Sequence, residues 1–203
     1  MLQLLTGEHT AEVLKLFLGE ASAGMVNESF EPLRAIVFEK SEKITFAPAE
    51  EYTALLIGPS KEFVPPWASV YTGKDHTLFQ ESTLQVRRKY SMNHLRTVNY
   101  PHEADDHIAV ELDFMTILSR LTLDSFTQRK KQQYAELIDR QIDFLTQEML
   151  TWVPVFAEKL QSTGQYVLYP PVAALTCRIL QADLAFLREI FDTEKASAQQ
   201  QCG

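Results

Sequence analysis

The chain has 203 residues, 45% of them hydrophobic and 23% charged, which suits a globular domain that needs neither disulfide nor metal to hold its core. Its net charge of -8 opposes nucleic-acid binding, which requires a positive field to displace counterions from phosphate. No apolar run approaches the roughly 20 residues of a membrane span, and the first residues lack the basic start and small-residue cleavage site of a signal peptide.

With 7 glycines in the whole chain, the sequence favours long helices over turn-rich β structure. Helical periodicity begins over Thr10–Ala21, where Leu14, Phe17, Leu18 and Ala21 recur at three- and four-residue steps. Glu31–Lys40 follows with Leu33, Ile36 and Val37, and with Pro32 in its first turn. A third helix is predicted over Pro48–Ile57, stopped by Gly58-Pro59. Residues 58–79 then break the pattern. They carry prolines and glycines, but also Trp67, Val70, Tyr71 and Phe79, so an ordered loop is expected rather than a solvated one.

Periodicity returns over Ser82–His94, and again from Pro101 to about Leu121, where Glu103, Asp105 and Asp106 crowd the first turn and suit the helix dipole. One long helical stretch is expected from Asp124 to Thr151, with Tyr134, Ile138, Ile142, Leu145 and Met149 on its apolar face. Trp152-Val153-Pro154 should kink or restart it, and the next helix should end near Gly164. The last is expected from Pro170 or Pro171 to about Thr193, with Leu175, Ile179, Leu180, Leu184, Leu187 and Phe191 inward. The fold class is therefore all-α: a single domain of seven to nine helices over residues 1–194, with 1–45 as N-terminal helices and 195–203 as a disordered tail.

Polar chemistry concentrates in Pro101–Glu111, which holds His102, Glu103, Asp105, Asp106, His107 and Glu111. On a helix, His107 and Glu111 would share a face, as would His102 and Asp106. A metal-dependent helical enzyme using Asp106, His107 and Glu111 is one reading. Against it, neither Glu-x-x-His nor His-Glu-x-x-His occurs, and His9, His76 and His94 are scattered. The plainer reading is that Asp106 caps or packs near the helix start while His107 bonds to the preceding loop. Phosphate-binding glycine motifs and a nucleophile elbow are absent. Cys177 falls in a helical run as a small buried hydrophobe, and Arg87-Arg88-Lys89 is expected on a solvated helix face. With Cys202 it forms no Cys-x-x-Cys spacing, which suits a reduced compartment.

Three stretches carry a family likeness. Glu51–Tyr71, EYTALLIGPSKEFVPPWASVY, joins a helix end at Gly-Pro to a loop with Pro-Pro-Trp-x-Ser-Val-aromatic. Glu103–Leu112, EADDHIAVEL, sets Asp-His before a helix, and Leu150–Leu160, LTWVPVFAEKL, is followed by YVLYPPVAAL. In this order they resemble the TorD/DmsD family of redox-enzyme maturation chaperones, with its NarJ-like members. The resemblance implies a cytoplasmic chaperone without catalytic activity, cofactor or metal. It would bind the twin-arginine signal peptide and the body of a molybdopterin oxidoreductase catalytic subunit, and hold that partner until cofactor insertion. The implied binding residues are Tyr52, Leu55, Leu56, Trp67, Ser69, Tyr71, Asp106, His107 and Glu111. Aromatic and aliphatic groups would take the apolar stretch, Asp106 and Glu111 would orient the arginines, and His107 would tie loop to helix. Monomer and helix-exchanged homodimer remain open, as does a purely structural assembly subunit.

Overall fold

In a computed structural model, residues 48–98 and 104–200 are described. The helices expected at Thr10–Ala21 and Glu31–Lys40 lie outside them, as do His102, Glu103 and Cys202. Among the described residues there are seven α-helices and no strand ladder, so the fold class is all-α as read from periodicity. A lone β-bridge joins Trp67 to His107.

Helix α1, Pro48–Tyr52, runs into a π-helical turn, Thr53–Ile57, that buries Leu55 and Leu56. It closes on Gly58, whose φ of 74° is readily available to glycine and whose N–H donates to Thr53 O at 2.8 Å. Next come α2, Ser69–Thr72, inside the proline-rich segment, and α3, Glu81–Met92. Helix α4, Ile108–Thr127, and α5, Lys131–Gln147, are followed by a short 3₁₀ turn, Met149–Thr151. The chain restarts at Trp152-Val153-Pro154 as expected, giving α6, Val153–Gln161, and ends in α7, Tyr169–Gln200. Backbone helix thus continues past the expected end at Thr193, into the stretch read as a disordered tail.

Boundaries within the chain also differ from the sequence reading, and the helix expected to end near Leu121 runs unbroken to Thr127. Helix α4 opens at Ile108, not Pro101, because His107 caps it with extended backbone and accepts the Ala109 N–H on Nδ1 at 3.1 Å. Asp105 and Asp106 therefore stand before the helix. The stretch expected to run unbroken from Asp124 is also two helices, with the break at Gln128–Lys130. Arg129 adopts φ 58° there; its N–H donates to Phe126 O at 3.0 Å and that of Lys130 to Ser125 O at 2.9 Å. That pair of bonds is a Schellman ending built on arginine instead of glycine. The same arrangement ends α3: His94 has φ 57°, its N–H reaches Ser91 O, and Leu95 N–H reaches Tyr90 O, both at 3.0 Å.

The chain divides into two compact units, one from residues up to Pro66 plus Pro154–Cys177, the other from Trp67–Val153 plus Arg178 onward. In the first, Leu55, Leu56, Val64, Phe156, Ala157, Leu160, Leu168 and Tyr169 are buried. Val64 N–H donates to Leu55 O at 2.7 Å, fastening the segment after the π turn. Glu51 is 1% exposed, and its carboxylate accepts the backbone N–H groups of Val167, Leu168 and Tyr169 at 3.3, 2.8 and 2.6 Å. It supplies the N-terminal cap that α7 lacks in its own sequence.

In the second unit, Tyr90, Phe114 and Phe144 form an aromatic cluster from α3, α4 and α5, with ring centroids 4.7 to 6.1 Å apart. Leu118, Leu137, Ile138, Leu145 and Met149 are buried in the same unit. Gln141, also buried, accepts from Ser119 Oγ at 2.9 Å and donates to Thr122 Oγ1 at 2.8 Å, satisfying a polar group between α4 and α5. The basic triplet of α3 is paired as well as solvated. Arg87 binds Asp105 at 2.6 Å, Arg88 binds Glu81 at 3.2 Å, and Lys89 binds Asp143 and Glu148 at 2.5 and 3.0 Å.

Candidate functional site

The second unit brings six of the nine expected site residues together around the turn before α4. Asp106 has no exposed surface. One carboxylate oxygen accepts the Ser69 N–H at 2.7 Å, the other accepts the Thr83 hydroxyl at 3.1 Å, and the backbone oxygen accepts the Ala68 N–H at 3.0 Å. Four-residue α2 cannot stabilise itself, since nucleating a helix costs more than one turn returns. Asp106 instead caps it from outside, where Ser69 begins the helix. The sequence reading of Asp106 as a cap is right in kind, but the capped helix is α2 and not its own.

Alongside, Trp67 and His107 are joined by the β-bridge, and their rings meet edge to face with centroids 5.4 Å apart. Because Nδ1 of His107 accepts the Ala109 N–H, its neutral ring carries its proton on Nε2. The expected pairing of His107 with Glu111 on one helix face does not form, since His107 is a cap with extended backbone. Both Trp67 and His107 stay half-buried.

Tyr71, one turn beyond Trp67, is half-buried and stacks on Trp152 at 5.4 Å with 27° between the planes. Burial pushes its hydroxyl above the ordinary tyrosine range, so the phenol is neutral. Trp152 is fully buried, and its indole N–H donates to Glu111 Oε2 at 3.1 Å. Glu111 has no exposed surface, and its burial raises its pKa well above that of an ordinary glutamate. Beneath the same turn, Asp105 accepts from Arg87, and also from Thr97, while its backbone oxygen takes the Tyr90 hydroxyl at 3.0 Å.

Tyr52, Leu55 and Leu56 belong to the first unit. Leu55 is 0% and Leu56 5% exposed, so both are core there, whereas Tyr52 is half-buried with its ring 5.6 Å from Tyr169. Asp106 and Glu111 were expected to meet arginines directly. Neither has surface to offer in this conformation; each is engaged instead in the buried hydrogen bonds described above. Sequence reasoning missed Trp152, Thr83 and Arg87 in this arrangement. Trp152 carried the one usable signal, a tryptophan beside Val-Pro in a chain with 2 tryptophans, but it was used to place a helix break and as part of the family likeness, not as a site residue.

Chemically, the arrangement presents aromatic rings on a frame of buried hydrogen bonds. Among the described residues no three His, Cys, Asp or Glu side chains are grouped to hold a metal ion, and no helix is long and apolar enough to cross a membrane.

Comparison with known proteins finds the same likeness from another direction. The family described as nitrate reductase delta subunit matches residues 20–158. The chain is 27% identical over 185 residues to a chaperone protein TorD of Vibrio cholerae, covering 90% of this chain and 82% of that one. It is 26% identical over 201 residues to a chaperone protein TorD of Photobacterium profundum, covering 92% and 90%. A Haemophilus influenzae protein named as a probable Tat proofreading chaperone DmsD is 28% identical over 132 residues, 65% of this chain and 58% of that one.

Proposed function

The chain belongs to the nitrate reductase delta subunit family, alongside the TorD and DmsD chaperones, and is a chaperone rather than an enzyme; from that premise we propose that it binds the twin-arginine signal peptide of a molybdopterin oxidoreductase catalytic subunit. It acts in the cytoplasm and retains that subunit until the cofactor is in place. The observation that carries the reading is the loop Trp67–Tyr71, whose half-buried aromatic rings are fixed from below by buried groups of the same unit.

A twin-arginine peptide offers a cationic pair beside an apolar stretch. In this reading Trp67, Tyr71 and His107 take the apolar stretch. Asp106, Ser69 and Glu111 hold that surface in place, and Leu55 and Leu56 shape the core beneath Tyr52. The arginines are drawn by the acidic surface of a chain whose net charge is -8. Micromolar binding needs about -8 kcal/mol net. Two half-buried rings contribute roughly 1.5 to 3 kcal/mol each before the cost of association, so the peptide's own apolar stretch must supply the rest.

Calorimetric titration with synthetic signal peptides tests this. Micromolar binding should weaken at least ten-fold for Trp67→Ala and for Tyr71→Ala, and also for a peptide with both arginines changed to alanine. Phe126→Ala, an exposed aromatic on α4, serves as the neutral control. If no peptide binds, or if Trp67→Ala and Phe126→Ala behave alike, this surface is not the binding site.

A further inference from the structure

Glu111 lies in the first turn of α4 with no exposed surface. Its Oε2 accepts the Trp152 N–H at 3.1 Å, while Oε1 has no hydrogen-bond partner. A carboxylate oxygen sealed from water without a donor is an orphaned acceptor bearing charge, which is among the costliest groups to bury. The Trp152 N–H offsets part of that charge. The charged groups acting on it are Asp106 and Glu148, both acidic. The cations of α3 are engaged with other acids: Lys89 with Glu148 and Asp143, Arg87 with Asp105 and Arg88 with Glu81. Tyr90 of α3 feels the Glu111 charge, Tyr71 of α2 reaches it through Trp152, and both phenols are held neutral by burial, while Nδ1 of the His107 ring is taken by Ala109.

We propose that Glu111 is a positioning residue for the peptide surface, a buried neutral acid that orients the Trp152 indole and, through that ring, Tyr71. Protonation removes the charge and turns Oε1 from an orphaned acceptor into a hydroxyl donor, while Oε2 keeps the Trp152 bond. The consequence for peptide binding rests on the function proposed above; the protonation state and the hold on Trp152 do not.

Burial is the main cause of the raised pKa, Asp106 and Glu148 add to it, and the Trp152 hydrogen bond opposes it. The sign follows directly. A carboxyl whose folded pKa exceeds its unfolded value stabilises fully below the unfolded value and loses that contribution as pH rises through the folded one. Glu111→Gln removes the titration, keeps an oxygen for the indole and is neutral at every pH.

The first measurement needs no peptide: unfolding by denaturant from pH 5 to pH 9 for wild type, E111Q and E111L. Relative to E111Q, the wild-type unfolding constant should rise about ten-fold per pH unit until the folded pKa is passed. The Trp152 indole N–H resonance should match wild type in E111Q and shift in E111L. If E111Q does not fold, carboxyl carbon shifts of glutamate-labelled wild type report the same group, one glutamate titrating far above the rest. Parallel pH curves for wild type and E111Q, or no late-titrating glutamate, would overturn the proposal. With signal peptide, E111Q should bind within about two-fold of wild type at pH 6, and E111L about ten-fold more weakly. Loss of binding in E111Q as deep as in E111L would also overturn it. Absence of binding to every protein, wild type included, would count against the peptide reading while leaving the stability result to stand by itself.

Discussion

Two buried carboxylates, Glu51 and Asp106, do the same work in different units: each satisfies backbone N–H groups at the start of a helix distant in sequence. Glu51→Ala would strand three N–H groups, and loss of a cap and its charge-assisted bonds is worth about 2 to 4 kcal/mol. Chemical denaturation should show that loss as a lower midpoint with unchanged slope. Asp106→Ala should cost a similar amount because the Ser69 amide and Thr83 hydroxyl lose their acceptor, so weakened peptide binding in that variant reports the fold of the loop as much as any contact with arginine. At this scale the sequence was half legible. The pattern Asp-His before an apolar run marked residues that matter, and the cap reading of Asp106 was correct in kind. What a single sequence cannot hold is the identity of a partner 37 or 41 positions away, which is why α2 and Trp152 were missed as partners of Asp106 and Glu111.

Helices were legible through their apolar period, and their ends were legible where the ending is written in proline or glycine, as at Gly58. Neither α3 nor α4 ends in glycine or proline: the end of α3 is still legible from its period, at His94 against Met92 observed, whereas that of α4 is not. His94 and Arg129 occupy left-handed backbone that favours glycine, and nothing in their identity announces a stop. Arg129→Gly should therefore stabilise the protein by about 0.5 to 1 kcal/mol, the relief of the left-handed residue exceeding the added freedom of the unfolded chain. An increase in melting temperature of a few degrees would register it. The aromatic cluster of α3, α4 and α5 predicts the opposite sign: Phe144→Ala should lose about 3 to 5 kcal/mol, since the ring is 1% exposed and meets both Tyr90 and Phe114.

For the whole molecule, the charge of -8 sets how a cationic peptide is met. Exposed ion pairs are worth about 0.2 to 1 kcal/mol each and are screened by salt. Raising ionic strength from about 0.05 to about 0.5 M should thus weaken binding only a few-fold, and should leave the arginine-free peptide unmoved. A much steeper dependence would mean that charge, and not the aromatic loop, dominates affinity.

The chain path of the first unit has a consequence for how this chaperone is itself made. Its capping carboxylate, Glu51, and the Tyr169 amide it holds are 118 positions apart. At a synthesis rate of about 5 to 20 residues per second, Glu51 waits about 6 to 24 s after translation before its partner exists. By the end of that interval the Trp67–Val153 stretch, with the aromatic cluster and the Asp106 clasp, has already been made in full. The peptide-facing loop can therefore close before the segment that precedes it, and chains truncated before Tyr169 and released from the ribosome should protect Trp67 from protease while leaving Leu55 open to it.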